Sequence, residues 1–198
     1  RDDLSAGREE GPGEGGSCEE GGEAVSTFVA FLRGVNLGKR QMKMAELKAC
    51  CESLGLTAVK TILASGNVRF EAPSDKGLKD RLEAAMLEQF GFPVKVTLRS
   101  ADDIEKMIAS APFAKLGPDD DVALHVLFAE EKLLPKPDLS PLPGHISVAR
   151  IDAREIYFVA HRLPNGRYTE GMEKIDKLLP KGALVTMRNW NTIGKLLQ

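Results

Sequence analysis

Cysteine and aromatic residues are scarce in this chain of 198 residues, which has three cysteines, one tryptophan and two tyrosines. Cys50 and Cys51 are neighbours in a helical pattern and Cys18 stands far upstream, which is not the spacing of a zinc site or a redox pair. Adjacent helical cysteines point about 100° apart and are poorly placed for a disulfide. We therefore expect no metal site and a reducing, cytoplasmic location.

Long apolar runs are absent as well. No stretch approaches the ~20 apolar residues that cross a bilayer, and no basic segment followed by an apolar one opens the sequence. We expect no membrane partner and no secretion.

Charge is unevenly distributed along the chain. Residues 1–25 contain eight acidic residues and two arginines, a formal charge of −6, whereas the whole chain carries −2. The remaining residues 26–198 therefore carry +4. The acidic segment is rich in glycine and glutamate and has almost no apolar side chains to bury, so we predict a disordered tail.

The pattern of the next 75 residues predicts a β-α-β-β-α-β order. Apolar runs and alternation indicate four strands, and three- and four-residue apolar spacing indicates two helices, the second capped by Ser74. This order is typical of a ferredoxin-like unit, in which two helices cover an antiparallel sheet. The predicted strands are residues 26–33, 57–63, 68–71 and 94–98.

The C-terminal part has a similar but looser order, with no residue-level repeat evident. A helix capped by Ser100 comes first, four strands and a late helix follow, and Thr192 is placed to cap a short final helix. The prediction is an α+β protein with two ferredoxin-like halves, residues 26–100 and 101–198, after the tail of residues 1–25. The later strands are predicted at 122–128, 146–151, 156–160 and 183–187.

The loop after the first strand has features of an anion site. Gly34, Gly38 and Lys39 suggest a phosphate loop, but the spacing is one residue short and no hydroxyl residue follows the lysine. A weaker interpretation remains, in which Arg33, Lys39 and Arg40 hold an anion together with the backbone amides of the helix start. The alternative is a solvated basic turn.

Two further polar segments attract attention. Ser65-Gly66-Asn67 has hairpin-turn chemistry, and no general base lies beside the serine. Near the C-terminus, Arg188, Asn189 and Asn191 surround the only tryptophan. The alternative for this segment is that Trp190 anchors the core while Asn191 or Thr192 caps the last helix.

Other chemistry is poorly supported. His125, His145 and His161 fall on different predicted elements without metal-ligand spacing, and no acid/base pair can be recognised. An RNA-recognition sheet needs aromatic residues on one face of its central strands, but Phe28 and Phe31 face opposite sides. Nucleic acid is therefore possible as a partner through phosphate contacts but is not favoured.

The motifs FLRGVNLG, MAEL, TILASGNVRF and VTMRNWNT, in this order, resemble those of the bacterial family of domains of unknown function DUF1697. The resemblance extends over nearly everything from Ser26 onward and implies an α+β chain of two ferredoxin-like halves. It implies no activity. Lys39 departs from the pattern, in which a small residue is more usual.

We hypothesise that the three polar segments converge on a cleft between the halves, where Arg33 and Arg188 bind a phosphate or carboxylate bidentately. The expected ligand is a small anion, a class that includes nucleotides, and no cofactor is expected. An enzyme using the same cleft and a protein- or nucleic-acid-interaction domain are the alternatives. The predicted binding residues are Arg33, Gly34, Asn36, Gly38, Lys39, Ser65, Asn67, Arg188, Asn189 and Asn191.

Overall fold

The computed structural model describes residues 25–36, 41–62, 66–117 and 120–198. Thirteen elements follow one another along these residues. In order, they are β1 (Ser26–Arg33), α1 (Met44–Ser53), β2 (Thr57–Ile62), β3 (Asn67–Ala72), α2 (Leu78–Phe90), β4 (Lys95–Ser100), α3 (Ala101–Ala109), β5 (Val122–Ala129), β6 (Ile146–Ile151), β7 (Glu155–His161), a 3₁₀ helix (Met172–Leu178), β8 (Val185–Asn189) and α4 (Trp190–Ile193).

The strands form two four-stranded antiparallel sheets with the same internal order. The first sheet runs β2-β3-β1-β4 and the second runs β6-β7-β5-β8. The central strands β1 and β5 occupy equivalent places, since each pairs with the third and fourth strands of its own sheet. The second sheet has the Pro-rich connector of residues 130–145 where the first has α1, and the 3₁₀ helix where the first has α2.

Both faces of the central strands are buried. In β1, alternate residues such as Ala30 and Leu32 face a core shared with α1 and α2. Leu127 of β5 faces a second core closed by the 3₁₀ helix. The opposite faces of β1 and β5 meet in a third core with α3 and α4. Continuous apolar runs in β1 and β5 reflect this two-sided burial, because strands with one wet face alternate instead.

Helix starts differ from the predictions at two places. Ser74 does not cap α2, which begins after Gly77 in the left-handed conformation (φ 67°). The last helix is capped by Asn189, whose Oδ1 accepts a hydrogen bond from Asn191 N, and not by Asn191 or Thr192. The Ser100 cap of α3 is confirmed, since its Oγ accepts a bond from Asp103 N. Residues 1–24 of the predicted tail lie outside the described residues.

Candidate functional site

Arg33, at the end of β1, bridges the first sheet to elements of the second. Its Nη1 donates to the carbonyl oxygen of Val185 at 2.7 Å, and its Nη2 lies 2.5 Å from Asp176 Oδ2 in the 3₁₀ helix. Both charged side chains stay about half exposed, at 43% and 51%. The guanidinium of Arg33 therefore uses some of its donors within the protein and is also accessible to solvent.

Arg188, in β8, is held much more firmly. Its Nε donates to Asn67 Oδ1 at 2.6 Å and its Nη2 to the carbonyl oxygen of Leu32 at 2.7 Å, with a longer contact to that of Gly66 at 3.4 Å. Its Nη1 donates to Thr186 Oγ1 and to a backbone carbonyl. These contacts match the five N–H donors of a guanidinium.

The charge of Arg188 is partly buried and has no carboxylate partner among the described residues. Burial favours the neutral form of a base, and it lowers the pKa of Arg188 to about 10. The group therefore keeps its proton at neutral pH, and its positive charge is balanced only by dipoles.

Arg33 and Arg188 line one open cleft of about 310 Å³, walled by the ends of β1 and β8, by Leu127 and by Asp176. The structure thus brings together the two arginines that the sequence hypothesis joined, although they are 155 positions apart. Gly34, with a left-handed φ of 84°, lines the same cleft. The N–H donors of Arg188 face protein acceptors, so its share in a bidentate grip stays a prediction.

The predicted asparagines lie in several places. Asn36 has a φ of 53°, and its Oδ1 accepts a hydrogen bond from Met42 N across the loop. Asn67 is fully buried and donates to the carbonyl oxygen of Ile62 at 3.2 Å. Asn189 caps α4, and Asn191 is exposed. Gly38, Lys39 and Ser65 lie outside the described residues, so their roles stay predictions.

A further arginine, absent from the sequence hypothesis, makes contacts equivalent to those of Arg188. Arg99 of β4 donates from Nε to Glu155 Oε1 at 2.8 Å and from Nη2 to the carbonyl oxygens of Ala129, at 2.7 Å, and Arg154, at 3.4 Å. Its Nη1 bonds the carbonyl of the preceding residue, as in Arg188. We call these two contact sets the Arg99 clamp and the Arg188 clamp.

Each clamp reaches from one sheet to the other. The guanidinium of Arg99 lies over the ring of Phe128 in β5 at 5.5 Å, and that of Arg188 lies over Phe31 in β1 at 5.7 Å. In its own sheet, Arg99 pairs with Val29 and Arg188 with Val126, two residues before each phenylalanine. Such reciprocal contacts are those of a two-fold, isologous interface.

The clamps reveal a short repeat in the sequence. TLRSADDI (97–104) and TMRNWNTI (186–193) each place a buried threonine, the clamp arginine, a helix cap and a buried isoleucine at the same spacing. Three of the eight positions are identical, too few to stand out without the structure. The residue-level repeat that the sequence did not make evident therefore exists at the contact between the sheets.

The two clamps differ in charge. The position paired with the stacked phenylalanine is Glu155 in the second sheet and Asn67 in the first. Glu155 supplies a carboxylate to Arg99, whereas Asn67 gives Arg188 only an amide oxygen. The Arg188 side therefore keeps a net positive charge.

The residues after the phenylalanines differ in the same sense. Arg33 lies two positions after Phe31, and Glu130 lies two positions after Phe128. Glu130 forms an ion pair with Lys79 of α2 at 3.5 Å. Glu130 lies in a related cleft of about 280 Å³. The position equivalent to Arg33 is thus occupied by an acidic residue, although the lysines of the related cleft, Lys79, Lys132 and Lys181, outnumber its glutamates.

Trp190 contributes to the core beside the cleft. Its ring packs edge-on against Phe113 at 5.2 Å and Tyr157 at 6.1 Å. These contacts support its interpretation as a core anchor. Within the described ranges, no group of three or more histidine, cysteine or acidic residues is arranged to hold a metal.

Fold and site together define an α+β protein of two four-stranded antiparallel sheets joined by reciprocal arginine clamps. The family model for proteins of unknown function DUF1697 matches residues 25–157. The chain therefore belongs to the DUF1697 family, as its motifs indicated.

A solved structure of similar fold is the conserved bacterial protein SP0830 from Streptococcus pneumoniae. It is 23% identical in sequence, with a TM-score of 0.64 over 88% of this chain and 100% of that one. At this identity the likeness concerns the fold alone. No curated protein matches the sequence, and no helix among the described residues is long and apolar enough to cross a membrane.

Proposed function

We propose that the Arg33–Arg188 cleft binds a small anionic ligand that carries a phosphate or carboxylate. The observation that carries this proposal is the asymmetry of the clamps. Arg99 is neutralised by Glu155, whereas Arg188 has no carboxylate among the described residues. A partly buried, uncompensated charge attracts an anion more strongly than a fully exposed one, because less water screens it.

In this proposal Arg33 contacts the ligand directly, and Arg188 attracts it through the positive electrostatic potential of its charge. Two donor groups of Arg33 are engaged, by Val185 and Asp176, and a guanidinium has five N–H donors. The remaining donors face a half-exposed setting into which a phosphate or carboxylate fits. Asn67 acts indirectly, since its amide holds Arg188 without neutralising it.

Asp176 competes with the ligand for Arg33. An exposed ion pair of this kind contributes only about 0–1 kcal/mol, so a dianionic ligand can displace the carboxylate. Removing that carboxylate in Asp176→Asn frees Arg33 and lowers the negative charge at the cleft. We expect this variant to bind anions several-fold more tightly than the natural protein.

The test is calorimetric titration with inorganic phosphate, pyrophosphate and adenosine monophosphate. Arg33→Gln is expected to weaken the tightest of these about tenfold or more. Asn67→Asp places a carboxylate against Arg188 and should weaken binding as well. A native circular dichroism spectrum must accompany each loss.

The side of the Arg99 clamp offers a matched control. Lys79→Gln breaks the equivalent ion pair to Glu130. This variant should leave anion affinity unchanged. Equal affinity of Arg33→Gln and the natural protein for all three anions would overturn the proposal.

We also propose the finer architecture and location. The shared strand order of the two sheets supports a ferredoxin-like arrangement for each half, with the boundary near residue 100. The buried, unpaired Cys50 and Cys51 are compatible with the cytoplasm.

A further inference from the structure

A second polar cavity, separate from the Arg33–Arg188 cleft, lies between α3 and the β6–β7 hairpin. Its volume is about 330 Å³, within the range of small-molecule sites. Its apolar floor comes from Phe128, Ile104, Met107 and Tyr157, and charged side chains of α3, β6 and β7 form the walls.

The net charge of the side chains that line this cavity favours an anionic ligand. Four basic and three acidic side chains line it. Arg99 pairs with Glu155, and Arg150 pairs with Asp152 at 2.8 Å. The remaining wall charges are Lys106, Arg154 and Asp103, a net charge of +1.

Two guanidinium groups in the cavity have unused donors. The Nε atoms of Arg150 and Arg154 are buried and have no hydrogen-bond partner among the described residues. A buried donor without an acceptor is destabilising, and more so when it is charged. An acceptor supplied by a ligand removes that cost.

Arg150 is already engaged by neighbouring side chains in the cavity wall. Its guanidinium lies 4.6 Å from the ring centroid of Tyr157, and its Nη2 donates to Ser110 Oγ at 2.8 Å. This arrangement leaves Arg154 as the more available cation, since its side chain makes no ion pair in the part of the chain that the structure describes. Arg154 also lies near enough to Arg99 to disfavour that group's charge.

From these contacts we infer that the cavity is a second binding site, for a compound that joins one carboxylate or phosphate to an apolar or aromatic body. Arg154 and Lys106 hold the oxyanion, and the apolar floor covers the body. The two sites share no lining residue. Arg33 plays no part in this one.

The sole tryptophan provides a reporter. Trp190 packs against Tyr157, which lines the cavity, so occupancy is expected to change its fluorescence. Phenyl phosphate is the probe, and inorganic phosphate and phenol, each one half of the probe, are the matched controls. Calorimetry in parallel gives affinities independent of fluorescence.

The expected result is saturable binding of phenyl phosphate, at least tenfold tighter than either control compound. Arg154→Gln and Lys106→Gln should each weaken it about tenfold, and Arg154→Lys should restore part of the loss. Arg162→Gln, at an exposed cation outside the cavity, should have no effect. Thermal unfolding checks that each variant is folded.

Two outcomes overturn the inference. One is the absence of saturable binding of phenyl phosphate up to about 10 mM, the limit of weak specific affinity. The other is binding that Arg33→Gln weakens and Arg154→Gln leaves intact, which would assign the probe to the Arg33–Arg188 cleft. That second outcome would leave the proposal for the Arg33–Arg188 cleft standing by itself.

Discussion

The rings of Phe31 and Phe128 stack with their centroids 4.3 Å apart and their planes 15° from parallel. The two residues come from the central strands of different sheets, and both are fully buried. The guanidinium of Arg188 also lies over the Phe31 ring, and that of Arg99 lies over the Phe128 ring. This pair is therefore the centre of the contact between the sheets.

The stack should show measurable coupling. In a double-mutant cycle of Phe31→Leu and Phe128→Leu, we expect a coupling free energy of about 0.5–1.5 kcal/mol, because offset aromatic pairs gain beyond their buried area. Urea unfolding of the four proteins measures it. A parallel cycle of Phe31→Leu and Phe70→Leu, on the opposite face of the first sheet, should be additive within about 0.5 kcal/mol.

The clamps should differ in the cost of losing their arginine. Arg99→Met leaves Glu155 partly buried and unpaired, and we expect a loss of about 3–5 kcal/mol in the free energy of unfolding. Arg188→Met leaves only neutral acceptors unpaired and removes an uncompensated, partly buried charge. Its expected loss is smaller, about 1–3 kcal/mol.

Chemical denaturation of both variants checks this order. The double variant Arg99→Met/Glu155→Met should recover part of the stability lost by Arg99→Met, since no buried charge is then left unpaired. A greater loss for Arg188→Met than for Arg99→Met would contradict the role assigned to Asn67.

Most strands could be predicted from the sequence because their patterns are local. The first strand matches its prediction at residues 26–33, since its apolar run and flanking turn residues lie within a few positions of one another. The final strand was predicted two residues too early, at 183–187, and it is Val185–Asn189. Arg188 and Asn189 resemble loop residues, and only contacts with distant Leu32 and Asn67 explain a charge at that place.

The site was predictable only in part, for the same reason. Grouping Arg33 with Arg188 followed from separated motifs, but the occupation of Arg188 by backbone carbonyls depends on the packing of two sheets. Arg99 was missed because its neighbours read as a strand followed by an ordinary helix cap. The matching spacing of TLRSADDI and TMRNWNTI was the one signal in the sequence that would have identified it.

Gly66 should tolerate substitution less well than Gly55. Both have left-handed φ values, 74° and 81°, but a Cβ on Gly66 would lie 2.7 Å from Val35 Cγ2 and 3.1 Å from Leu32 Cβ, whereas Gly55 has nothing within 4 Å. Gly55→Ala should cost about 1–2 kcal/mol for the backbone conformation. Gly66→Ala should cost about 1–3 kcal/mol more, for overpacking.

Thermal and urea unfolding of the two alanine variants compares these costs. Gly66→Ala should also disturb the Arg188 clamp, because the Gly66 carbonyl accepts from Leu32 N at 2.8 Å and contacts Arg188. Equal stability of the two variants would contradict the close packing of this turn.

His125 should make the protein less stable in mild acid. It is buried in β5, and burial lowers its pKa from the usual value near 6.5, with partial compensation from a hydrogen bond to the backbone of Ala123. Below that usual value the unfolded chain takes up a proton that the folded chain does not. The free energy of unfolding therefore falls as the pH drops from about 7 toward 5, with a slope of at most about 1.4 kcal/mol per pH unit from this group.

Other groups titrate in the same range, so the comparison must isolate His125. The variant His125→Gln keeps a polar side chain without the protonation, and His161→Gln, at an exposed histidine, is the matched control. Urea unfolding at several pH values should give a shallower acid dependence for His125→Gln than for the natural protein, and an unchanged one for His161→Gln. Parallel curves for all three proteins would mean that His125 is protonated as readily in the fold as in the unfolded chain, and that the β5–β8 region admits water at low pH.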